Sequence, residues 1–183
     1  MKTPTLLFCA GMLMSSLFAA EPVVANVPAQ GIIPDKNMLH IGIVVRDIEA
    51  AMDHWAEFLG LDEKPNIIMA NGHPDNPTQY RGEPSGAIAK LAFFDLENIQ
   101  IELIEPLGDD ESHWREFLEK RGEGVHHIGL RVTGIGEGHL DHFAEHGISV
   151  GQQGGWDGGE YSYMDTHDLL GVTVELLEMY NSE

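Results

Sequence analysis

The sequence predicts an α+β fold built from one βαβββ module written twice, and three echoes carry the prediction. His40-Ile41-Gly42 in the run LHIGIVV returns as His127-Ile128-Gly129 in VHHIGLRV. The segment DHWAE at 53–57 returns as DHFAE at 141–145, and IQIELIE at 99–105 returns as VTVELLE at 172–178. Each module therefore opens with a histidine strand and closes with a glutamate strand. Two copies are too few for a solenoid, so in a chain of 183 residues the repeat describes two half-domains sharing one architecture.

The elements follow in order. Residues 1–20, MKTPTLLFCAGMLMSSLFAA, carry one lysine and then an apolar run with small residues near its end. That is the layout of a secretory signal peptide, short for a membrane span, and it predicts a periplasmic or secreted mature protein; a retained N-terminal anchor helix is the alternative. The only cysteine, Cys9, falls inside it, so neither a disulfide nor a thiolate metal site is expected in the mature chain. Residues 21–37 are proline-bearing, lack a period and read as a linker.

The first module spans 38–108. LHIGIVV is a strand, and Asp47 is a natural N-cap for a helix in which Ile48, Ala51, Met52, Trp55, Phe58 and Leu59 recur at helical spacing until Gly60. A short strand near 67–70, the strand AIAKLAFFDL at 87–96 and IQIELIE complete it. A linker at 109–124 contains HWREFLEKRG, a short helix ending at Gly122. The second module, 125–183, begins with VHHIGLRV. Its helix is weaker, because Gly136 and Gly138 each cost about 1 kcal/mol relative to alanine. Strands near 148–151 and 161–165 precede VTVELLE. Tyr80-Arg81-Gly82 and the glycine-rich loop GQQGGWDGGEY at 151–161 read either as a mobile lid or as plain connections.

Thirty acidic against ten basic side chains give a net charge of -20, dispersed along the chain. This repels nucleic acid and anionic membranes; by itself it says little about substrate, although an anionic one would need a local cationic pocket.

Side chains alternate across a strand, so parity sorts the candidates. Ile41, Ile43 and Val45 form an apolar face that must pack on the helix, leaving His40 on the other; Ile128, Leu130 and Val132 likewise leave His127, Gly129 and Arg131. By the same alternation His126 points away. Glu102 and Glu175 are repeat equivalents between apolar neighbours, and inside a sheet they must be paired, protonated or bound to a cation. Glu105 and Glu178 have the opposite parity and are expected in solvent. Two imidazoles and two carboxylates form a set suited to Zn, Ni, Co, Mn or Fe(II). The alternative is a structural seam of His–Glu hydrogen bonds. His54, His139, His142 and His146 read as helix-surface residues, while His73, His113 and His167 fall in loops or at element ends.

These residues resemble the vicinal oxygen chelate superfamily, which includes glyoxalase I, methylmalonyl-CoA epimerase, extradiol dioxygenases and fosfomycin-resistance proteins. The resemblance covers 38–180. LHIGIVVRDIEAAMDHWAEFLGL, IELIEPLGDD, FLEKRGEGVHHIGLRV and GVTVELLE are most similar to the epimerase branch, with FLEKRGEGVHHI the most specific. It implies that the paired modules form an open, cup-shaped mixed sheet around one divalent metal, held by His40, Glu102, His127 and Glu175. Glutamate at 102 is similar to glyoxalase I, whereas the epimerase branch often has glutamine there. Lys90 stands about where an epimerase's second catalytic carboxylate would be, which argues against two-base racemisation. GDDES after Leu107 and HDLLG at 167–171 depart from the glutathione-contacting and coenzyme A-contacting segments of those relatives. Export is a further objection to coenzyme A thioesters, which are cytoplasmic.

The resemblance implies a metal-dependent isomerase or lyase acting on a small hydroxy- or oxo-acid. The metal would stabilise an oxyanion as a Lewis acid, and Glu175, or alternatively Glu102, would loosen to move the proton. Arg131, Lys90 and Arg81 are candidates to hold a substrate carboxylate or phosphate. A ring-cleaving Fe(II) dioxygenase would use two histidines and one carboxylate, and the fourth ligand, Glu102, counts against it. A non-catalytic protein that sequesters a metal or small ligand is the other alternative. The cup is free to close within one chain or across a homodimer.

Overall fold

The computed structural model describes residue 33 and residues 36–180. The expected leader at 1–20, Cys9 and most of the 21–37 stretch lie outside the described residues. In chain order the elements are β1 (Asn37–Val44), α1 (Ile48–Leu59), β2 (Ile68–Ala70), β3 (Gln79–Tyr80), β4 (Glu83–Pro84), β5 (Ile88–Asp95) and β6 (Gln100–Leu107). Then come α2 (His113–Arg121), β7 (Gly124–Arg131), a π-helical turn (Ile135–His139) running into α3 (Leu140–Glu145), β8 (Val150–Trp156), β9 (Gly159–Met164), α4 (His167–Leu170) and β10 (Thr173–Met179).

All ten strands join one sheet in the order β2-β5-β6-β1-β7-β10-β9-β8-β3-β4. Its symmetry is visible in the pairings. β1 runs parallel to β6 and β7 parallel to β10, while β5 and β9 return antiparallel on the outside of each half. The halves meet where β1 pairs antiparallel with β7. The sheet is open, mixed and strongly curled, a half-barrel whose two faces have different tasks.

The outer face is core. Ile41, Ile43, Val45, Ala92, Phe94, Ile101 and Leu103 pack under Ile48, Met52 and Ala56 of α1. Ile128, Leu130, Val132, Val174 and Leu176 pack under Phe143 of α3. Asp47 caps α1 by accepting from the Ala50 amide at 3.0 Å, and Gly60 ends it in the left-handed conformation that glycine tolerates best. The second helix opens with a π turn through Gly136 and Gly138 and keeps only Leu140–Glu145 as α-helix, consistent with the low helix propensity of glycine.

Two expectations are corrected here. GQQGGWDGGEY is neither lid nor loop: it forms β8, a turn at Asp157-Gly158 and β9, paired residue by residue from Gln152↔Tyr163 to Trp156↔Gly159. Tyr80-Arg81-Gly82 belongs to the β3–β4 hairpin, whose first strand pairs with β8 and so clasps the first module to the second. Glycine density hid β8, and the pairing of β3 with β8 joins residues about 70 positions apart, such as Gln79 and Gln153.

Glu105 and Glu178 are corrected too, since neither is left to solvent. Glu105 accepts from the Ile48 amide at 3.0 Å, and Glu178 accepts from the Gly134 and Ile135 amides, each at 2.8 Å. Each closing strand thus sends one glutamate inward and, three residues later, one outward to the start of its own module's helix, where free amides and the helix dipole favour negative charge.

Glu178→Ala is expected to leave those two amides unpartnered and lower stability by about 1–2 kcal/mol. Urea unfolding would show a lower midpoint at unchanged slope, beside a Glu57→Ala control on the exposed face of α1 that shifts little. Equal midpoints for the two variants would contradict the capping role.

Candidate metal centre in the cup

The central β1–β7 pair sets the site. Its register places His40 opposite Gly129 and Gly42 opposite His127. Each imidazole lies in the space that the other strand's glycine leaves free. A Cβ on Gly42 would stand 1.9 Å from His127 Cε1, and one on Gly129 would stand 2.5 Å from His40 Cε1. The parallel neighbours complete the rows, because Glu102 is beside Gly42 and Glu175 beside Gly129. One row across the sheet therefore reads Glu102, Gly42, His127, and the next reads His40, Gly129, Glu175.

Two register shifts sharpen this arrangement. The β1–β7 ladder skips Leu39 on one strand and His126 on the other, each the residue just before a site histidine. Such bulges break alternation and re-aim side chains. Parity alone sends His126 away from the site histidines; with the bulge, its Nδ1 lies 2.9 Å from His127 Nδ1 and both rings are fully buried.

His40, Glu102, His127 and Glu175 converge within this one chain and are all buried. His40 Nε2 and His127 Nε2 are 2.8 Å apart. Glu175 Oε2 lies 2.7 Å from His40 Nε2 and 3.3 Å from His127 Nε2, and Glu102 Oε2 lies 3.4 and 3.2 Å from the same atoms. Both Oε2 atoms are buried and within ion-pair reach of the two Nε2 atoms, yet among the described residues neither is met by a well-directed hydrogen bond. A structural seam would give each carboxylate oxygen a donor. Four donor atoms crowding one point instead fit a shared cation, and His40, Glu102 and His127 offer atoms all within 4.8 Å of one another.

Charge responds accordingly. Burial opposes the positive form of His127, but the Glu175 and Glu102 carboxylates outweigh it and raise its pKa to about 9. Burial also opposes ionisation of Glu175, yet His127 and His40 hold its carboxyl at about 2. His126, buried without a carboxylate at hand and facing other imidazoles, is pushed well below its ordinary value and stays neutral.

Above the four side chains opens a cup of about 730 Å³ with a largely apolar wall that includes Leu91, Phe93, Trp114, Trp156, Tyr161 and Leu177. Burial, together with the nearby Glu175 and Glu102, pushes the Tyr161 hydroxyl up to about 12, so it remains a donor. Arg131 also lines the cup. Among the described residues its buried Nε has no hydrogen-bond partner, and its Nη2 lies 3.4 Å from Met179 Sδ.

The other two cationic candidates are elsewhere. Lys90 shares the outer parity of Ala92 and Phe94 and pairs with Glu105 at 3.3 Å. Arg81 spans Asp165 and Glu116, each at 2.9 Å, and lines a separate cavity of about 350 Å³ together with His113 and His167. Neither reaches the cup, because alternation in β5 and the β3–β4 clasp carry them away.

The family model for the Glyoxalase/Bleomycin resistance protein/Dioxygenase superfamily matches residues 39–163. The chain is 30% identical over 142 residues to the protein YqjC of Bacillus subtilis, covering 76% of this chain and 89% of YqjC. It is 32% identical over 142 residues to the ethylmalonyl-CoA/methylmalonyl-CoA epimerase of Cereibacter sphaeroides, covering 75% of this chain and 93% of that protein. Among solved structures, hypothetical protein BH1468 from Bacillus halodurans matches with a TM-score of 0.56 at 27% identity, over 80% of this chain and 96% of its own. A methylmalonyl-CoA epimerase in complex with methylmalonyl-CoA and NH4+ matches in fold, with a TM-score of 0.52 at 22% identity over 80% of this chain and 96% of that one.

The raised pKa of His127 has a definite sign in stability. Its protonated form stabilises the metal-free fold fully below about pH 6.5, and that contribution is lost as pH rises through about 9. Melting temperatures of chelator-treated protein are expected to fall across this window, and saturating zinc, by displacing the proton, should flatten the profile. A metal-free profile that is flat from pH 6.5 to 9 would contradict the assignment.

Proposed function

The chain belongs to the Glyoxalase/Bleomycin resistance protein/Dioxygenase superfamily, and from this premise we propose that it is a metal-dependent isomerase or lyase acting on a small hydroxy- or oxo-acid. The observation that carries the reading is the convergence of two imidazoles and two buried carboxylates, each with one oxygen short of a hydrogen bond, at the floor of a largely apolar cup. When bound there, a divalent ion supplies Lewis-acid stabilisation of charge developing on adjacent substrate oxygens.

The chain's own residues supply the rest. His40, Glu102 and His127 form the compact donor trio, and Glu175, the fourth donor, moves a proton at the substrate carbon next to the carbonyl. Arg131 brings a guanidinium with a free, buried Nε to the cup wall, where it anchors a substrate carboxylate. The aromatic wall excludes water and takes an apolar substrate body, and Tyr161 donates to a substrate oxygen. With Lys90 and Arg81 turned away, Arg131 is the one lysine or arginine among the described residues that lines the cup, which favours a compact acid over a polyphosphate conjugate. The leader-like residues 1–20 support a periplasmic or secreted location for this activity; recovery of the expressed protein from the cytoplasm with Met1 intact would contradict that.

The activity is tested by proton exchange. Metal-loaded protein in deuterated buffer is expected to exchange the hydrogen beside the carbonyl of at least one acid in a panel of small hydroxy- and oxo-acids. Glu175→Gln should slow the exchange by roughly 10²–10⁴-fold while still binding metal. Absence of exchange across the panel by metal-loaded protein would favour a sequestering role instead.

A further inference from the structure

Below the cup a second line of imidazoles leads away from the candidate metal centre. His127 Nδ1 lies 2.9 Å from His126 Nδ1, His126 Nε2 lies 2.7 Å from His113 Nδ1, and His113 Nε2 lies 3.3 Å from Asp165 Oδ1. The far end is anchored, because Ser149 Oγ and Arg81 Nη1 donate to Asp165 Oδ2 at 2.8 and 2.9 Å and leave Oδ1 to His113. The space is also reserved: a Cβ on Gly151 would lie 2.5 Å from His113 Cδ2 and 2.8 Å from Asp165 Oδ1. The His113 amide, at the start of α2, donates to Gln152 Oε1 at 2.8 Å, and its ring stacks on Tyr163. Sequence reading set His113 aside as an element end and sent His126 to the wrong face.

With His113 and His126 neutral, and His127 neutral once a cation replaces its second proton, only one placement of protons satisfies every link. Asp165 Oδ1 can only accept, so His113 carries its proton on Nε2 and accepts at Nδ1. His126 must then donate from Nε2 and accept at Nδ1. His127 must donate from Nδ1, which leaves its Nε2 lone pair facing His40, Glu102 and Glu175.

We infer that His126, His113 and Asp165 are positioning residues, a carboxylate-terminated imidazole chain that fixes His127 as its Nδ1–H tautomer and aims Nε2 at the shared centre. The inference rests on the metal-dependent reading only for what Nε2 binds; the proton order of His126 and His113 belongs to the metal-free chain as well. It also distinguishes the halves. Leu39 occupies the bulge position in the first copy that His126 holds in the second, and a leucine has no ring nitrogen to offer. His40 and His127 are thus equivalent as ligands and unequal in support.

The test reads tautomers and affinity, not turnover. Long-range ¹H–¹⁵N imidazole spectra of the full chain are expected to show His126 and His113 as Nε2–H tautomers with and without zinc, and zinc-loaded His127 as Nδ1–H. Removing the outer support of a metal-binding histidine typically weakens metal roughly 10–100-fold, the loss expected for His126→Leu by chelator competition. Asp165→Ala, at the half-buried outer end where folding is least at risk, should weaken zinc in the same direction, and Asp165→Asn, which keeps an acceptor oxygen, should recover most of it. An Nδ1–H tautomer at His126, or variants that lose thermal stability with zinc affinity unchanged, would overturn the proposal. If the parent binds no zinc, the metal reading fails, and the metal-free tautomers alone still decide the chain.

Discussion

Two imidazoles can cross the seam between the halves only because each finds a glycine opposite. Gly42 and Gly129 are not loosely packed: a single methyl group at either would collide with the partner ring at 1.9 or 2.5 Å. This reciprocal seating explains why the histidine and the glycine two residues later recur as a unit. It also sets the surrounding register, since the strands beside those glycines bring Glu102 and Glu175 into the same two rows. A one-residue slip of β1 or β7 would turn that strand's histidine to the outer face and break the set.

Burying two carboxylates and two imidazoles is costly unless something offsets it. Without metal the offset is partial: a proton on His127 answers the acids, yet one oxygen of each acid still lacks a hydrogen bond. The outward glutamates of the same strands carry no such tension, since Glu105 and Glu178 meet helix amides. One short motif, glutamate repeated after three residues, thus serves the site with its first acid and the scaffold with its second. Beside the ligands the two halves differ at one matched position, where the second copy holds His126, the start of an imidazole chain, and the first holds Leu39.

The repeat made much of this legible in the sequence. Parity in LHIGIVV and VHHIGLRV assigned the outer core faces and singled out His40 and His127, and the echoed closing strands pointed to Glu102 and Glu175. Alternation failed where the chain departs from a regular strand, as at the bulge that gives His126 its contact with His127. It failed again at Lys90, whose face depends on which side of β5 meets α1, and that is settled by pairing with β6. Strand β8 was masked by its glycines, and the β3–β8 pairing that makes the clasp was masked by long sequence separation. The doubled histidine of VHH, just before the seam, was the available signal of an irregularity there.

The most direct measurement is transition-metal content per chain, by elemental analysis of protein purified with neither added metal nor chelator, beside His127→Ala and Gly42→Ala. The account predicts about one ion per parent chain and a large loss in both variants, in Gly42→Ala because the added methyl group displaces the His127 ring although every ligand is still encoded. A parent that is empty and takes up no added Zn, Ni, Co, Mn or Fe(II), or a Gly42→Ala variant that holds metal as the parent does, would contradict it.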